Sequence, residues 1–286
     1  MNSWRKGIAS WRCGDTLYLS VVFSWDMEVA EAIAKQNRRL SVVAGGPAID
    51  LAKRRGEVVD WAHTPESCPF DTLAMHNPCA TYTSRGCDCR CRYCAVPRIE
   101  GKFRQLKKWK PAPIVCDNNI LQSSRRHFTR VISSLRHFPC CDFNQGLSAP
   151  LFTEWHAKQM RQLKRVRVRF ACDTMQALPY VERAVGIARK AGLTDIAVYT
   201  LIGFDDTPEL ALQRCNRLWD DIKVDVCPMP YQPLDAKARD EYVSPSWTLE
   251  DLQKMSRFFW RRRFWRQKTY AEYKAEQQPL FAEAAR

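Results

Sequence analysis

Short apolar segments alternate with segments of helix length along most of this chain, between residues 81 and 229. A helix that joins two strands crosses back over the sheet, and this favours a parallel strand pair. Six strands in strict alternation with helices therefore predict a parallel α/β sheet, either an open doubly wound sheet or a partial barrel. The predicted strands are 81–85, 113–117, 141–145, 166–172, 195–202 and 223–229, with helices near 123–137, 152–164, 178–191 and 207–220.

Two of the predicted helices carry recognisable end signals. Gly192 stands where a glycine is expected just after a helix C-terminus. Thr207-Pro208-Glu209 is typical of a helix start with proline in the first turn. Both signals agree with the helix bounds that the apolar pattern predicts.

Residues 1–78 are predicted to form a small α/β extension ahead of the alternating region. Strands at 17–23 and 40–44 enclose a helix at 27–36, for which Asp26 is the expected cap. A strand–helix–strand unit of this length favours a parallel crossover.

Two further segments flank the alternating region, which spans residues 79–235. Residues 54–78 are polar and turn-rich and are predicted to be a linker. Residues 236–286 are predicted to be a helical extension, with a helix that starts at 246–250 in a sequence resembling a capping box. The aromatic residues expected on the buried face of that helix are Trp260, Phe264 and Trp265.

The chain contains 13 cysteines, an odd number. No apolar run approaches the roughly 18–20 residues of a membrane span, and the N-terminus shows no signal-peptide core. We therefore expect a cytoplasmic protein without membrane contact, in which the thiols are reduced. Clustered cysteines in that compartment indicate metal ligands or redox groups.

The net charge is +14, and the cationic excess is clustered. Lysine and arginine dominate the stretches 85–110, 121–139, 158–169 and 257–274. Such clustering is typical of proteins that bind a polyanion, nucleic acid first. The alternative interpretation is that these stretches are solvated helix faces.

Three cysteines follow the first predicted strand of the alternating region in the spacing C-x3-C-x2-C: Cys87, Cys91 and Cys94. Three thiolates on one loop suit three irons of a cubane and leave the fourth iron open to a substrate or cofactor. Zinc is the alternative, although a zinc site usually has two ligand pairs and only Cys91 and Cys94 have that spacing. Cys89 is an extra thiol inside the motif and is expected to point away from the cluster.

This cysteine spacing, its place after the first strand, and the flanking Thr-Ser-Arg-Gly and Ala-Val-Pro resemble the radical S-adenosylmethionine (SAM) enzymes. The closest likeness is to the branch with cobalamin-associated members and methylthiotransferases, over residues 80–235. The resemblance implies a TIM-like partial (β/α)6 barrel and a [4Fe-4S] cluster held by Cys87, Cys91 and Cys94. It also implies SAM bound to the cluster, an electron donor such as flavodoxin or ferredoxin, and cleavage of SAM to a 5′-deoxyadenosyl radical that abstracts a hydrogen atom.

The resemblance further implies SAM-binding roles for residues at the strand ends. Tyr93 corresponds to an aromatic residue near the adenine, and the segment after the second strand corresponds to the groups that hold the SAM amino group. The common Gly-Gly-Glu is absent from that segment. The candidate cofactor-binding residues are Tyr93, Asp117, Asn118, Asn119, Asn144, Gln145, Asp173, Gly203 and Phe204.

Residues 23–48 resemble the later half of a cobalamin-binding Rossmann domain but lack the Asp-x-His-x-x-Gly loop that ligates cobalt. Cobalamin is therefore not expected, and the segment resembles a truncated remnant. Methylthiolation is not expected either, because the flanking domains of the methylthiotransferases have no counterpart here.

The basic stretches predict that the substrate is a nucleic-acid base or a nucleotide, for example in DNA hypermodification of the kind phages use. One alternative is a radical SAM enzyme that acts on a small metabolite or a peptide. The other is a non-catalytic iron–sulfur or zinc protein that binds nucleic acid.

Overall fold

The computed structural model describes residues 4–5, 7–262 and 268–276. In the N-terminal part, the strands and helices are β1 (Ile8–Cys13), β2 (Thr16–Val21), α1 (Met27–Gln36), β3 (Ser41–Gly45) and α2 (Pro47–Arg54). β2 and β3 pair in parallel on either side of α1, as predicted. β1 pairs with β2 in an antiparallel hairpin that was not predicted, because only one of its six side chains is fully buried and its apolar pattern is weak.

Asp26 does not cap α1 through its side chain, contrary to prediction. A 3₁₀ turn, Ser24–Asp26, leads directly into the helix. Asp26 therefore already has helical backbone angles, with φ −92° and ψ 0°, whereas a capping residue has extended ones.

The predicted linker at 54–78 contains more structure than expected. His63 forms a parallel bridge with Val43, and Trp61 packs against the N-terminal core. A short helix, α3 (Thr72–His76), begins at Asp71, whose carboxylate accepts a hydrogen bond from the Ala74 N–H. These contacts fold the segment against the N-terminal sheet.

The alternating region and the C-terminal segment contain the remaining strands and helices. They are β4 (Ala80–Thr81), β5 (Ser84–Arg85), α4 (Val96–Ile99), β6 (Arg104–Gln105), β7 (Ile114–Val115), α5 (Arg125–Leu135), β8 (Cys141–Leu147), α6 (Glu154–Met160), β9 (Val166–Ala171), α7 (Leu178–Lys190), β10 (Asp195–Ile202), α8 (Pro208–Asn216), β11 (Asp225–Pro230), α9 (Leu249–Trp260) and α10 (Tyr270–Glu276). Single 3₁₀ turns occur at Ile120–Gln122, Ala149–Leu151 and Met175–Ala177, and a π-helical turn follows α8 at Arg217–Asp221.

Six of these strands form one parallel sheet in the order β4-β7-β8-β9-β10-β11, which is also their order along the chain. The predicted parallel α/β sheet is thereby confirmed. A doubly wound sheet reverses its strand order at a switch point, and this sheet does not. Among the described residues, β4 and β11 each pair with one neighbour in this sheet, so its two edges do not meet.

The two faces of the sheet differ in chemistry because side chains alternate along each strand. One face packs under the helices through residues such as Phe143, Val168 and Val198. The other face, called here the polar face, carries Asp142, Asn144, Arg167, Arg169 and Tyr199, which are all partly exposed. The helices therefore cover one face and leave a polar one for binding.

The C-terminal helices join the core of this sheet. Met255 and Phe258 of α9 and Tyr273 of α10 are fully buried in it. Trp260 was predicted to be buried but is 54% exposed, because it lies at the helix end, where its indole N–H donates to the Pro228 carbonyl at 3.0 Å. Phe264 and Trp265 lie outside the described residues.

No helix in the described ranges has both the length and the apolar character needed to cross a membrane.

Helix α6 starts with a capping box that involves a half-buried histidine, His156. The Thr153 N–H donates to His156 Nδ1 at 3.3 Å, and the Thr153 hydroxyl lies 2.8 Å from the same nitrogen. Burial, and to a lesser degree the Arg125 guanidinium, lower the pKa of His156 from 6.5 to about 4. A protonated Nδ1 cannot accept the Thr153 hydrogen bond, so both effects favour the neutral ring.

We predict that acid destabilises the protein through His156. The unfolded chain binds this proton near pH 6.5 and the folded chain only near pH 4, so stability falls as the pH drops through that window. At pH 5 the loss relative to pH 8 is about 1 kcal/mol, because solvent screens part of the effect at this half-buried ring. His156→Gln keeps an acceptor in the capping box and does not titrate. Urea unfolding at several pH values is therefore expected to show a shallower acid dependence for the variant. If the free energy of unfolding depends on pH equally in the two proteins, His156 is not the group responsible.

Candidate functional site

The cysteine motif lies on a loop at the carboxyl end of the first strand of the sheet. This loop, residues 86–95 and called here the thiol loop, follows β5 and leads into α4. The predicted strand 81–85 is divided into β4 and β5 because the Thr83 N–H does not continue the sheet ladder. It donates instead to the Asp117 carboxylate at 2.6 Å.

Asp117 connects this segment to the end of the neighbouring strand β7. Besides the Thr83 N–H, its carboxylate accepts hydrogen bonds from the hydroxyls of Thr83 and Ser84, the latter at 2.8 Å. Asp117 is 2% exposed, and burial raises its pKa although the hydrogen bonds oppose the rise. The sequence predicted a SAM-binding role for Asp117, and its two oxygens here hold the base of the thiol loop.

Glu100 is a second carboxylate that supports the loop, and sequence reasoning missed it. Its oxygens accept from the Gly86 N–H at 2.9 Å and the Asn118 amide at 2.6 Å, and they pair with Arg85 at 2.9 Å. Gly86 has φ +74°, and a Cβ there would collide with the Lys102 carbonyl. No local signal in the sequence marks Glu100, because its partners come from two other segments of the chain, residues 85–86 and Asn118.

The four cysteines of the loop have different surroundings. Cys91 is exposed, whereas Cys87, Cys89 and Cys94 are half-buried. Burial raises the pKa of Cys87 to about 11, with Cys89 nearby as a further cause, and burial likewise raises the pKa values of Cys91 and Cys94. These thiols are therefore protonated at neutral pH in the absence of a bound cation.

Cys89 does not point away from the other thiols, contrary to expectation. Its Sγ accepts from the side-chain amides of Asn119 and Gln122, each at 3.8 Å, and its N–H donates to Cys87 Sγ at 3.4 Å. Its charge also contributes to the raised pKa of Cys87, Cys91 and Cys94. The structure thus adds Cys89 and Gln122 to the residues around the motif.

The donor set suits a thiophilic metal group. Within the described part of the chain, no three His, Cys, Asp or Glu side chains stand at metal-binding distances from one another. Four thiols within eight residues, Cys87 to Cys94, are the ligands that iron–sulfur clusters and zinc prefer. A cation bound there would stabilise the thiolates that burial disfavours.

A second group of predicted residues meets beside the thiol loop. The Tyr93 hydroxyl donates to Asp173 at 2.7 Å, and the Leu201 N–H donates to the other oxygen of the same carboxylate at 2.9 Å. The Tyr93 ring contacts Phe204 edge-on, with 5.7 Å between centroids, and Phe204 contacts Tyr231 at 4.7 Å. Burial raises the pKa values of Asp173 and Tyr93. These contacts place the rings of Tyr93, Phe204 and Tyr231 in a row beside the partly buried carboxylate of Asp173.

Gly203 shapes the turn that carries Phe204. Its φ is +77°, and its N–H donates to Asp206 at 2.8 Å. Asp206 pairs with Arg214 at 2.7 Å, and Arg214 is 1% exposed. The predicted glycine therefore has a conformational role that a buried ion pair supports.

Asn144 and Gln145 lie in β8, the strand next to β7 in the sheet. Asn144 is on the polar face and hydrogen bonds to Cys116, a buried thiol of the neighbouring strand segment. Gln145 stands where the register between β8 and β9 shifts, between Phe143 and Leu147. The structure thus places Tyr93 in the thiol loop and brings Asp117, Asn119 and Asp173 into contact with the loop or its base. Asn144 and Gln145 lie on the neighbouring strand β8.

The N-terminal unit contacts α4, the helix that follows the thiol loop. Arg54 of α2 donates to the backbone carbonyls of Arg98 and Ile99 in α4, the latter at 3.1 Å. Ser24 donates to the Ala236 carbonyl at 2.5 Å, and Arg55 pairs with Asp235 at 2.9 Å. These contacts connect the N-terminal unit to α4, which follows the thiol loop, and to the segment after β11.

No protein-family model matches this chain, and no curated protein matches it.

We predict that Asp117→Ala destabilises the fold and the site together. The change leaves three buried donors of Thr83 and Ser84 without a partner, so the free energy of unfolding should fall by about 3 kcal/mol. Any metal binding by the thiol loop should fall as well, because the base of the loop loses its anchor. The matched control is Asp88→Ala, which removes an exposed carboxylate with one backbone contact, to the Phe103 N–H. Its stability should change by less than about 1 kcal/mol. Equal losses in the two variants would refute the role of Asp117.

Proposed function

We propose that this chain is a radical SAM enzyme whose alternating region is a partial (β/α)6 barrel. One observation carries the proposal: the C-x3-C-x2-C loop follows the first of six parallel strands that lie in chain order. Enzymes with such strand order assemble their sites at the carboxyl ends of the strands. Tyr93, Asp173 and Phe204 lie at this same edge.

In this proposal Cys87, Cys91 and Cys94 hold a [4Fe-4S] cluster. When bound, that cluster supplies the electron that cleaves SAM and so starts the chemistry with a 5′-deoxyadenosyl radical. Phe204 and Tyr93 offer ring edges and faces against which an adenine packs. Asp173 accepts the hydrogen bond that holds the Tyr93 hydroxyl in place. The side-chain amides of Asn119 and Gln122 donate to Cys89 Sγ and so fix the position of that part of the loop.

The substrate that we propose is a nucleotide or a base within a nucleic acid. Support comes from cations beside the thiol loop: Arg90 and Lys102 are exposed and have no ion-pair or hydrogen-bond partner among the described side chains. Phosphates bind arginine and lysine strongly at low salt. A base within a duplex has to leave the stack to reach a buried radical, at a cost of a few kcal/mol.

A second candidate function is favoured by one observation: Cys89 lies near the other thiols of the loop and does not point away from them. Four thiols on one short loop also suit a structural zinc ion, which takes four ligands. In that case the chain is a non-catalytic protein that binds nucleic acid through its basic surface.

The cysteine variants distinguish the two candidates. Cys87→Ala, Cys91→Ala and Cys94→Ala should each abolish iron–sulfur absorbance and 5′-deoxyadenosine formation in the reduced, anaerobically reconstituted protein. Cys89→Ala should retain both, as should the control Cys13→Ala, which changes an exposed cysteine of β1. Iron, sulfide and zinc contents measured on the same samples complete the test. Stoichiometric zinc that is lost equally in all four loop variants would replace the enzyme proposal with the second candidate.

The substrate class is tested by binding to single-stranded oligonucleotides across a salt series. Arg90→Gln/Lys102→Gln should weaken binding about 10-fold and reduce its salt dependence. The control Arg38→Gln/Arg39→Gln removes two exposed arginines of the N-terminal unit, far along the chain from the loop, and should change affinity by less than about twofold. No binding at low salt would favour a small metabolite or peptide as substrate.

A further inference from the structure

A cavity of 620 Å³ opens at the amino-terminal edge of the six-stranded sheet, the edge opposite the thiol loop. The first residues of β8, β9 and β10 line it, and it extends along the polar face as far as Asn144 and Arg169. Its volume lies within the range of small-molecule sites, roughly 300–1,000 Å³. None of the four cysteines of the thiol loop lines it. The cavity is therefore separate from the candidate cluster site.

The lining of this cavity is strongly cationic. Five of its side chains carry positive charge and two carry negative charge: Arg161, Lys164, Arg165, Arg167 and Arg169 against Asp142 and Asp195. The basic stretch 158–169, which the proposed function does not use, thus converges on one cavity.

Two of these arginines are held in place by the carboxylates. Arg169 makes a two-pronged pair with Asp142, with N–O distances of 2.8 and 2.5 Å. Arg167 donates through Nε to Asp195 at 2.8 Å. A guanidinium has five N–H donors, so both side chains are oriented and still have donors to offer.

The other three cations have no such partner. Arg161, Lys164 and Arg165 are exposed, and none makes a side-chain hydrogen bond or an ion pair with the described residues. Stabilisation of the helix dipole accounts for Arg161, which follows the last residue of α6. It does not account for Arg165, Arg167 and Arg169, which lie just before or within β9.

An aromatic ring completes the rim of the cavity. Trp4 lines it, and the next residue fixes the position of this segment. The Arg5 N–H donates to the His76 carbonyl at 3.0 Å, and the Arg5 guanidinium donates to the Ser10 carbonyl at 3.0 Å. Guanidinium groups bind the phosphate of a nucleotide, and an indole ring beside them can stack on its base.

We propose that this cavity, called here the cationic cavity, binds phosphate groups of a nucleotide or of a nucleic-acid strand. Guanidinium groups recognise phosphate oxygens in a two-pronged geometry, and held arginines lose little freedom on binding. We assign it binding only, separate from the thiols at the opposite edge of the sheet. The proposal does not depend on the identity of the metal group.

The experiment measures binding of three probes to the full chain by calorimetry at low salt: inorganic pyrophosphate, thymidine monophosphate and an oligothymidylate of about 12 nucleotides. Arg161→Gln/Arg165→Gln removes two exposed, unpaired cations of the cavity, so the fold should persist. We expect this variant to weaken binding about 10-fold. The matched control Arg38→Gln/Arg39→Gln removes the same charge elsewhere and should stay within about twofold of the unchanged protein.

The probes also identify the source of the phosphate. Equal affinity for the monophosphate and the oligonucleotide supports a nucleotide ligand, whereas a response confined to the oligonucleotide supports a strand. Absence of binding to all three probes, or equal weakening in both double variants, overturns the proposal. Iron–sulfur absorbance of the same double variants keeps this outcome separate from the proposed function, since the cavity variants should assemble the cluster normally.

Discussion

The buried carboxylate of Asp117 is the constraint on which the candidate site depends. It lies at the end of the second strand of the sheet and accepts three hydrogen bonds from the segment that ends the first. That segment leaves the sheet at Thr83 and leads into the thiol loop. A carboxylate with so little exposure is stable only when its partners are present. The same bonds therefore hold the base of the loop and satisfy Asp117.

Around this anchor, further long-range polar contacts determine the shape of the site. Glu100 joins Arg85, Gly86 and Asn118. Asp173 joins Tyr93 to the backbone of the fifth sheet strand at Leu201. Each carboxylate is held by groups from at least two segments, so loss of one contact disturbs several. In the candidate site, the thiol loop and its base are therefore held at the ends of the parallel strands by hydrogen bonds to three carboxylates, Asp117, Glu100 and Asp173.

The polar face of the sheet connects this site to the opposite edge. Its ion pairs lie between neighbouring strands: Arg169 with Asp142 across β8 and β9, and Arg167 with Asp195 across β9 and β10. Such pairs leave the face hydrated and charged, in contrast to the apolar face under the helices. One sheet thereby carries a thiol-rich edge and a cationic edge with a polar surface between them.

Local patterns predicted most of the secondary structure. The helices at α1, α5, α7 and α8 and the five strands from β7 to β11 appear near the predicted residues, because apolar periodicity and end signals act within a few residues of sequence. The hairpin strand β1, the folded segment at 61–76 and the exposure of Trp260 were missed. For the folded segment and for Trp260 the deciding contact comes from a distant part of the chain, such as Val43 for His63 and Pro228 for Trp260. β1 pairs with its neighbour β2, and it was missed because its own apolar pattern is weak.

The sequence by itself determined the parallel α/β architecture and the cysteine spacing, because both depend only on residue types and on their separation along the chain. Only the tertiary structure decided that the strands lie in chain order, that Cys89 turns towards Asn119, and that Glu100 and Gln122 belong to the site. It also decided that the basic residues between 161 and 169 line one cavity. These outcomes depend on hydrogen bonds and ion pairs between segments far apart in sequence, and such contacts leave no periodic signal from which they could be predicted.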